Sequence, residues 1–156
     1  MPKQKLEVQQ FIEKYRAGQR EFPEIELPQG ADLRPYIQEI NANYNSDNPL
    51  VVPHSNLEGL IASGIIIPFA DLRNANLRDA KLESADLRNA NLEKACLEYA
   101  DLRNANLENA NLENADLYDT NLEKITFNWI AYCHSLISEY LRQRAGENIK
   151  KQMLAA

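Results

Sequence analysis

Cysteine is nearly missing from this chain: Cys96 and Cys133 are the only two among 156 residues. Two thiols in different segments cannot build a disulfide framework, and the expectation is reduced thiols in a cytoplasm. Glycine stands at only five positions, and none of them forms a Gly-rich phosphate loop. Histidine is equally scarce. His54 lies in a proline-flanked polar stretch and His134 follows Cys133; adjacent helical positions point in different directions, so neither assembles a nucleophilic or metal site. No catalytic residue, cofactor or metal is therefore expected. No apolar run approaches the ~18 residues of a membrane span, and no charged-then-apolar leader opens the chain, so neither insertion nor secretion is expected.

Excess positive charge is also lacking. The formal net charge is −6, divided as −3 over residues 1–69, −5 over 70–129 and +2 over 130–156. Direct nucleic-acid binding needs a basic surface for phosphate contacts, so it is disfavoured. At 44% hydrophobic residues the chain can bury one core without staples.

What is abundant is a pattern. In ADLRNANLRDAKLESADLRN (70–89) the leucines Leu72, Leu77, Leu82 and Leu87 recur every five residues, with alanine two places before each. A helix turns about 100° per residue, so a five-residue step forms no apolar stripe. A flat strand alternates faces, so an odd period throws successive leucines to opposite sides. Every leucine stays inside only if the chain turns a corner once per pentad, which is a solenoid.

Charge sets the number of sides. Stacked coils place residues about 4.8 Å apart, where opposite charges help and like charges hurt. Three sides would set Arg73 beside Arg88 and Glu83 beside Glu98, and five would set Arg78 beside Arg103. Four sides set Arg73 beside Glu93, Arg78 beside Glu98, Glu83 beside Arg103 and Arg88 beside Glu108, leaving only Glu93 and Glu113 in conflict. The square coil fits best. Leucine then fills the axis, alanine lets the opposite wall approach, and Asn or Asp before each leucine suits a corner and can bond nearby backbone.

The tandem run ADLRN, ANLRD, AKLES, ADLRN, ANLEK, ACLEY, ADLRN, ANLEN, ANLEN, ADLYD, loosening in TNLEK and ITFNW by residue 129, resembles the pentapeptide-repeat proteins. The resemblance implies an all-β solenoid, a right-handed quadrilateral β-helix, with α-helical terminal caps; the hand agrees with the general preference for right-handed crossovers. YRAGQREFPEIELPQGADL (15–33) also resembles helical leaders of some members of this family, which is abundant in cyanobacteria. The expected organisation is a helical cap over 1–21, an irregular early coil over 22–69 with a polar insertion around 35–54 and a short helix after Pro35, the repeat β-helix over 70–129, and a second helical cap over 130–156. Val8, Phe11, Ile12 and Tyr15 form the stripe of the first helix, ending at Gly18; Ile130, Cys133, Ile137, Tyr140 and Leu141 form that of the last.

Function is expected to be non-enzymatic: a cytoplasmic protein–protein interaction or scaffold protein whose partner is an unidentified protein. The alternative, implied by the resemblance and by the acidic repeats, is a DNA-mimic modulator of DNA gyrase or topoisomerase. A homodimer through the C-terminal segment is a further partner reading, because Trp129, Ile130, Ile137 and Leu141 exceed what an isolated helix keeps wet. The twenty-residue register gathers pentads 75–79, 95–99 and 115–119 on one side. That side carries Asp79, Cys96, Glu98, Tyr99, Asp116, Tyr118 and Asp119, and it is the candidate protein-binding face.

Overall fold

The computed structural model describes residues 3–127. From Val51 onward the chain advances by a constant stride: Val51 bridges Asp71, Asn76 bridges Cys96, Asp86 bridges Asn106 and Cys96 bridges Asp116, all in parallel and all twenty residues apart. Four pentads therefore make one turn, and the parallel coils stack as a solenoid.

Each pentad is built alike. The residue before the leucine donates its N–H to the coil below, and the leucine donates to the coil above, as Cys96 N–H does to Ala75 O at 2.9 Å and Leu97 N–H to Asp116 O at 2.7 Å. A four-residue turn then closes the corner, Ala100 N–H reaching Leu97 O at 3.0 Å. The last residue of the pentad takes positive φ: Asn74 at 56°, Asp79 at 58°, Asn89 at 57°, Asn104 at 58°. Asparagine and aspartate tolerate this left-handed region better than other side chains with a Cβ. With two of five residues spent on the turn, each side pairs with its neighbours through single-residue bridges rather than long strands.

The outward Asn or Asp before each leucine has a second duty. Its Oδ1 accepts the backbone N–H two residues on, from Asp71 to Arg73 at 3.2 Å, Asn91 to Glu93 at 3.1 Å and Asn111 to Glu113 at 3.0 Å. These Asx turns hold the corner from its outer side.

Inside, Leu87, Leu97, Leu102 and Leu107 and the alanines Ala80, Ala95, Ala100 and Ala105 have no measurable exposure. The axis leaves about 30 Å³ of free space, bounded by side chains such as Leu27, Val52, Leu57, Leu72 and Leu77. That admits about one water-sized probe, so the axis is a packed core rather than a ligand channel.

The early coil departs from the stride by a definable amount. Glu21 bridges Val51 and Glu26 bridges Asn56, thirty residues apart, while Asp32 bridges Ile61 at twenty-nine. One residue is added between Glu26 and Asp32, at the bend containing Gly30 with φ 71°, and nine more between Asp32 and Val51. The larger insertion is a 3-10 turn Arg34–Tyr36 running into helix α2, Ile37–Ala42. It ends earlier than the expected 35–54. Leu50 and Val52 are buried and Val51 is already paired on both edges, because LVVPH (50–54) fills a pentad with a bulky residue in the alanine site and a smaller one in the leucine site. SNLEG, LIASG and IIIPF complete that coil in full register.

Helix α2 replaces the fourth side of the first coil, and one side chain makes good the missing rung. Asn41 donates to Gly64 O at 2.9 Å and accepts from Ile66 N–H at 2.7 Å, standing in for a strand backbone.

At the N-terminal end, β1 (Gln4–Lys5) pairs in parallel with β2 (Ile25–Glu26), and helix α1 (Val8–Arg16) follows. Phe11, Ile12 and Tyr15 are buried in the same core as the leucine stack. Arg16 clips Glu39 of α2, with one N–O contact at 2.7 Å, tying the two helices together. The expected C-terminal helical segment, 130–156, lies outside the described residues.

Candidate functional site: the tyrosine side of the solenoid

The arginines decide the chemistry of each side, and they do not follow the expected register throughout. Arg73 pairs with Asp71 of its own pentad at 2.6 Å rather than with Glu93, and Arg88 pairs with Asp86 at 2.7 Å and Arg103 with Asp101 at 2.6 Å. In each, the aspartate two places earlier already turns Oδ1 toward the backbone, so the guanidinium folds back onto it in a bidentate clip. These hydrogen bonds hold the carboxyls of Asp71, Asp86 and Asp101 below the ordinary carboxylate value, with the backbone N–H adding to the effect against partial burial.

Arg78 is the exception that explains the rule. The residue two before it is Asn76, which has no charge to offer, and Arg78 crosses to Glu98 in the next coil. It also lies 3.6 Å from Asp79, and its guanidinium carbon sits 4.8 Å from the centre of the Tyr99 ring. Arg103 makes both contacts, reaching Glu83 at 3.4 Å as well as its own aspartate.

The side formed by 75–79, 95–99 and 115–119 therefore differs from the others. Asn76, Cys96 and Asp116 form one column through consecutive bridges. Glu98 lies between Arg78 below and Tyr118 above, and Asp79, Tyr99 and Asp119 occupy the positive-φ corner at 58°, 58° and 49°. The rings of Tyr99 and Tyr118 meet edge to face, with centroids 5.5 Å apart and planes at 81°. Tyr99 is 43% exposed. Tyr118 is half-buried, so the two rings are not equally open; Tyr99 is the fifth residue of its pentad and Tyr118 the fourth of its own.

Cys96 is half-buried, and burial together with Asp116 pushes its thiol pKa up. A thiol held protonated is a poor nucleophile. His54 sits exposed at a corner with φ 56°. His134 and Cys133 lie outside the described residues. Among the described residues, no group of three or more His, Cys, Asp or Glu is arranged to hold a metal, and no helix is long and apolar enough to cross a membrane.

Two contributors to this side escaped the sequence reading. Glu26 and Glu58 stand below Arg78 on the same side, because the bridges Glu26–Asn56 and Asn56–Asn76 extend the column downward. Counting back by twenty from Arg78 finds Glu58; the added ten residues hide Glu26.

A solenoid of twenty-residue coils, each of four pentads with inward leucine and alanine, defines the class. The family model of pentapeptide repeats, in eight copies, matches residues 70–109 and 95–129. The chain thus carries pentapeptide repeats over residues 70–129. Among solved structures it is similar to the pentapeptide-repeat protein Rfr23 from the cyanobacterium Cyanothece 51142, at 35% identity over 51% of this chain, with a TM-score of 0.31. It is also similar to alr5209, a pentapeptide-repeat protein from Nostoc Pcc 7120, at 27% identity over 82% of this chain and 99% of that one, TM-score 0.45. HetL, a pentapeptide-repeat protein from Nostoc sp. strain PCC 7120 involved in heterocyst differentiation regulation, is 29% identical over 65% of this chain and 48% of that one, TM-score 0.28. The chain spans 58% of the length of Rfr23. No curated protein matches it.

Proposed function

We propose that this protein is a non-enzymatic, cytoplasmic interaction module that docks another protein on its tyrosine side, through Asp79, Cys96, Glu98, Tyr99, Asp116, Tyr118 and Asp119. In this reading the coil is right-handed, as in its family, and α1 closes the N-terminal end of the stack so that the open side walls are the working surface.

The observation that carries the reading is Tyr99. A bulky aromatic side chain at φ 58° occupies a corner that the rest of the repeats fill mainly with Asn and Asp. The left-handed conformation costs an L-residue roughly 1–2 kcal/mol, and 43% of this ring still faces water. Phe69 shares that conformation and is 49% exposed on another side, so Tyr99 is set apart by its neighbours, the Tyr118 ring edge-on at 5.5 Å and the Arg78 guanidinium over its face, an exposed aromatic cluster of the kind recognition uses.

Mimicry of duplex DNA against gyrase is the less supported alternative. It needs acidic surface around the girth, whereas Arg73, Arg88 and Arg103 neutralise the aspartates of the other sides.

Affinity capture with cross-linking from the native cell tests the reading. Tyr99→Ser with Tyr118→Ser should abolish capture of the specific partner while leaving the far-ultraviolet spectrum unchanged. Undiminished capture would count against this side. A supercoiling assay separates the alternative, since a gyrase mimic must inhibit or protect the enzyme at stoichiometric amounts.

A further inference from the structure

The four sides of the stack are unequal in charge, and the inequality tells what the tyrosine side fits. Across 55–59, 75–79, 95–99 and 115–119 there are five acids, Glu58, Asp79, Glu98, Asp116 and Asp119, against Arg78 alone, a net of −4. The side starting at 50–54 carries −1, the side starting at 60–64 carries zero, and the side from 65–69 through 125–127 carries −1. The acidity of the stack is thus concentrated in one strip, and the two tyrosines stand in it.

The lower end of that strip opens into a cleft of about 400 Å³ lined by Lys5, Glu7, Glu26, Gln29, Asn56 and Glu58. From Glu26 through Asn56, Asn76 and Cys96 to Asp116 there are four coil steps, or about 19 Å at the spacing of paired strands, the reach of roughly six extended residues.

Within the strip the protein displays the contact it would make. Arg78 holds its guanidinium over the Tyr99 ring while an acid, Glu98, binds the same group. An arginine is planar and weakly hydrated, so it stacks on an aromatic face and pairs with carboxylates at once, whereas a lysine ammonium is a strongly hydrated point charge.

We infer that the occupant of the tyrosine side is an extended, arginine-bearing basic segment of a partner protein, lying along the solenoid axis with an arginine engaged by Tyr99 and Tyr118. This rests on the docking role proposed above and deepens it by assigning the partner's chemistry. The acidic strip steers the segment and speeds encounter, the tyrosines select arginine over lysine, and the cleft at Glu26 and Glu58 receives the far end. The net charge of −4 disfavours a polyanion on this side.

Fluorescence anisotropy with the full chain and three labelled peptides tests this: an arginine–glycine repeat, a lysine–glycine repeat and a glutamate–glycine repeat. The arginine peptide should bind about 3–10-fold more tightly than the lysine peptide, the difference a cation–π contact of about 1 kcal/mol gives. Tyr99→Ser with Tyr118→Ser should erase that preference. Asp79→Asn with Asp119→Asn should weaken both basic peptides, while Glu83→Gln with Glu123→Gln on the neutral side should leave them within about twofold, salt screening all of these effects. Equal affinity for arginine and lysine peptides, or equal sensitivity to the two pairs of charge substitutions, would overturn the inference as general electrostatics. A photo-cross-linking residue at position 118 keeps the two readings apart. A partner captured there without a basic segment overturns the arginine assignment alone. Absence of any cross-link from that position, in cells where the partner is captured elsewhere on the chain, overturns the docking role too.

Discussion

The exchange of large and small residues between Leu60 and Ala62 offers a quantitative test of how the axis is packed. Ala80 and Leu82 lie one coil above them, Lys81 being bridged to Ile61 below and Asp101 above. Ala80 is fully enclosed and Leu82 is 2% exposed. Leu82→Ala alone would set a second alanine above Ala62 and open a cavity that the hydrogen-bonded walls cannot close, so it should cost about 4 kcal/mol, within the ~3–5 range for buried leucines. Ala80→Leu alone would crowd the site above Leu60 and should cost about 2 kcal/mol. The double exchange restores volume and repeats the arrangement one coil below, so it should cost under ~1.5 kcal/mol. The coupling is then about −4.5 to −6 kcal/mol, far beyond the ~0.5 kcal/mol scatter of additive sites. Urea denaturation at constant m-value reads all three variants. A double exchange as damaging as the sum of the single ones would refute the view that layer volume, rather than strict placement of leucine, is what the axis requires.

Asn76→Asp should draw Arg78 back from Glu98 into a clip like that of Arg73 and Asp71, and carboxyl titration by NMR should find the new aspartate well below its ordinary value; an unshifted carboxyl would contradict the account of the clips. Asp71, Asp86 and Asp101 have folded-state pKa values depressed by their arginines. Their contribution to stability is therefore complete above the unfolded value of about 3.9 and is lost as pH falls through the lower folded values. Asp→Asn at all three should flatten the acid limb of the melting curve below about pH 4, and an unaltered limb would show that the clips contribute nothing. Asn41→Ala removes both the donor to Gly64 and the acceptor for Ile66 and should cost about 1–3 kcal/mol by chemical denaturation; a neutral result would mean that water replaces the rung.

The coil itself was legible in the sequence because its rule is local: a period of five, with leucine and alanine at fixed places, admits no helix and no flat strand. The twenty-residue stride was legible only through charge, and partly for the wrong pairs. Arg78 with Glu98 and Arg103 with Glu83 are formed, whereas Arg73 turns to Asp71. The aspartate two residues before an arginine competes with the glutamate one coil away and wins on proximity, which a register argument between coils does not include. The boundary of the insertion was blurred because LVVPH (50–54) has neither the alanine nor the leucine of the motif, although its volume fits the layer. The gathering of Tyr99 and Tyr118 followed from counting, but their unequal exposure and the stacked Arg78 depended on side-chain geometry at the corner. Asn41 carried no sequence signal at all, since its role exists only because α2 displaces a strand.

The register of the stack underlies every statement about the tyrosine side, and the native thiol provides a direct measurement of it. Cys96 is bridged to Asp116, and neighbouring strands at about 4.8 Å fall within the ~4.4–6.8 Å range that a disulfide spans between Cα atoms. In a Cys133→Ser background, Asp116→Cys should form an intramolecular disulfide with Cys96 under mild oxidation, detected by mass spectrometry of a proteolytic digest. Asn111→Cys, fifteen residues from Cys96, should leave both thiols free. A bridge formed by the second variant and refused by the first would contradict the four-sided coil, and with it the assembly of Tyr99 and Tyr118 on one side.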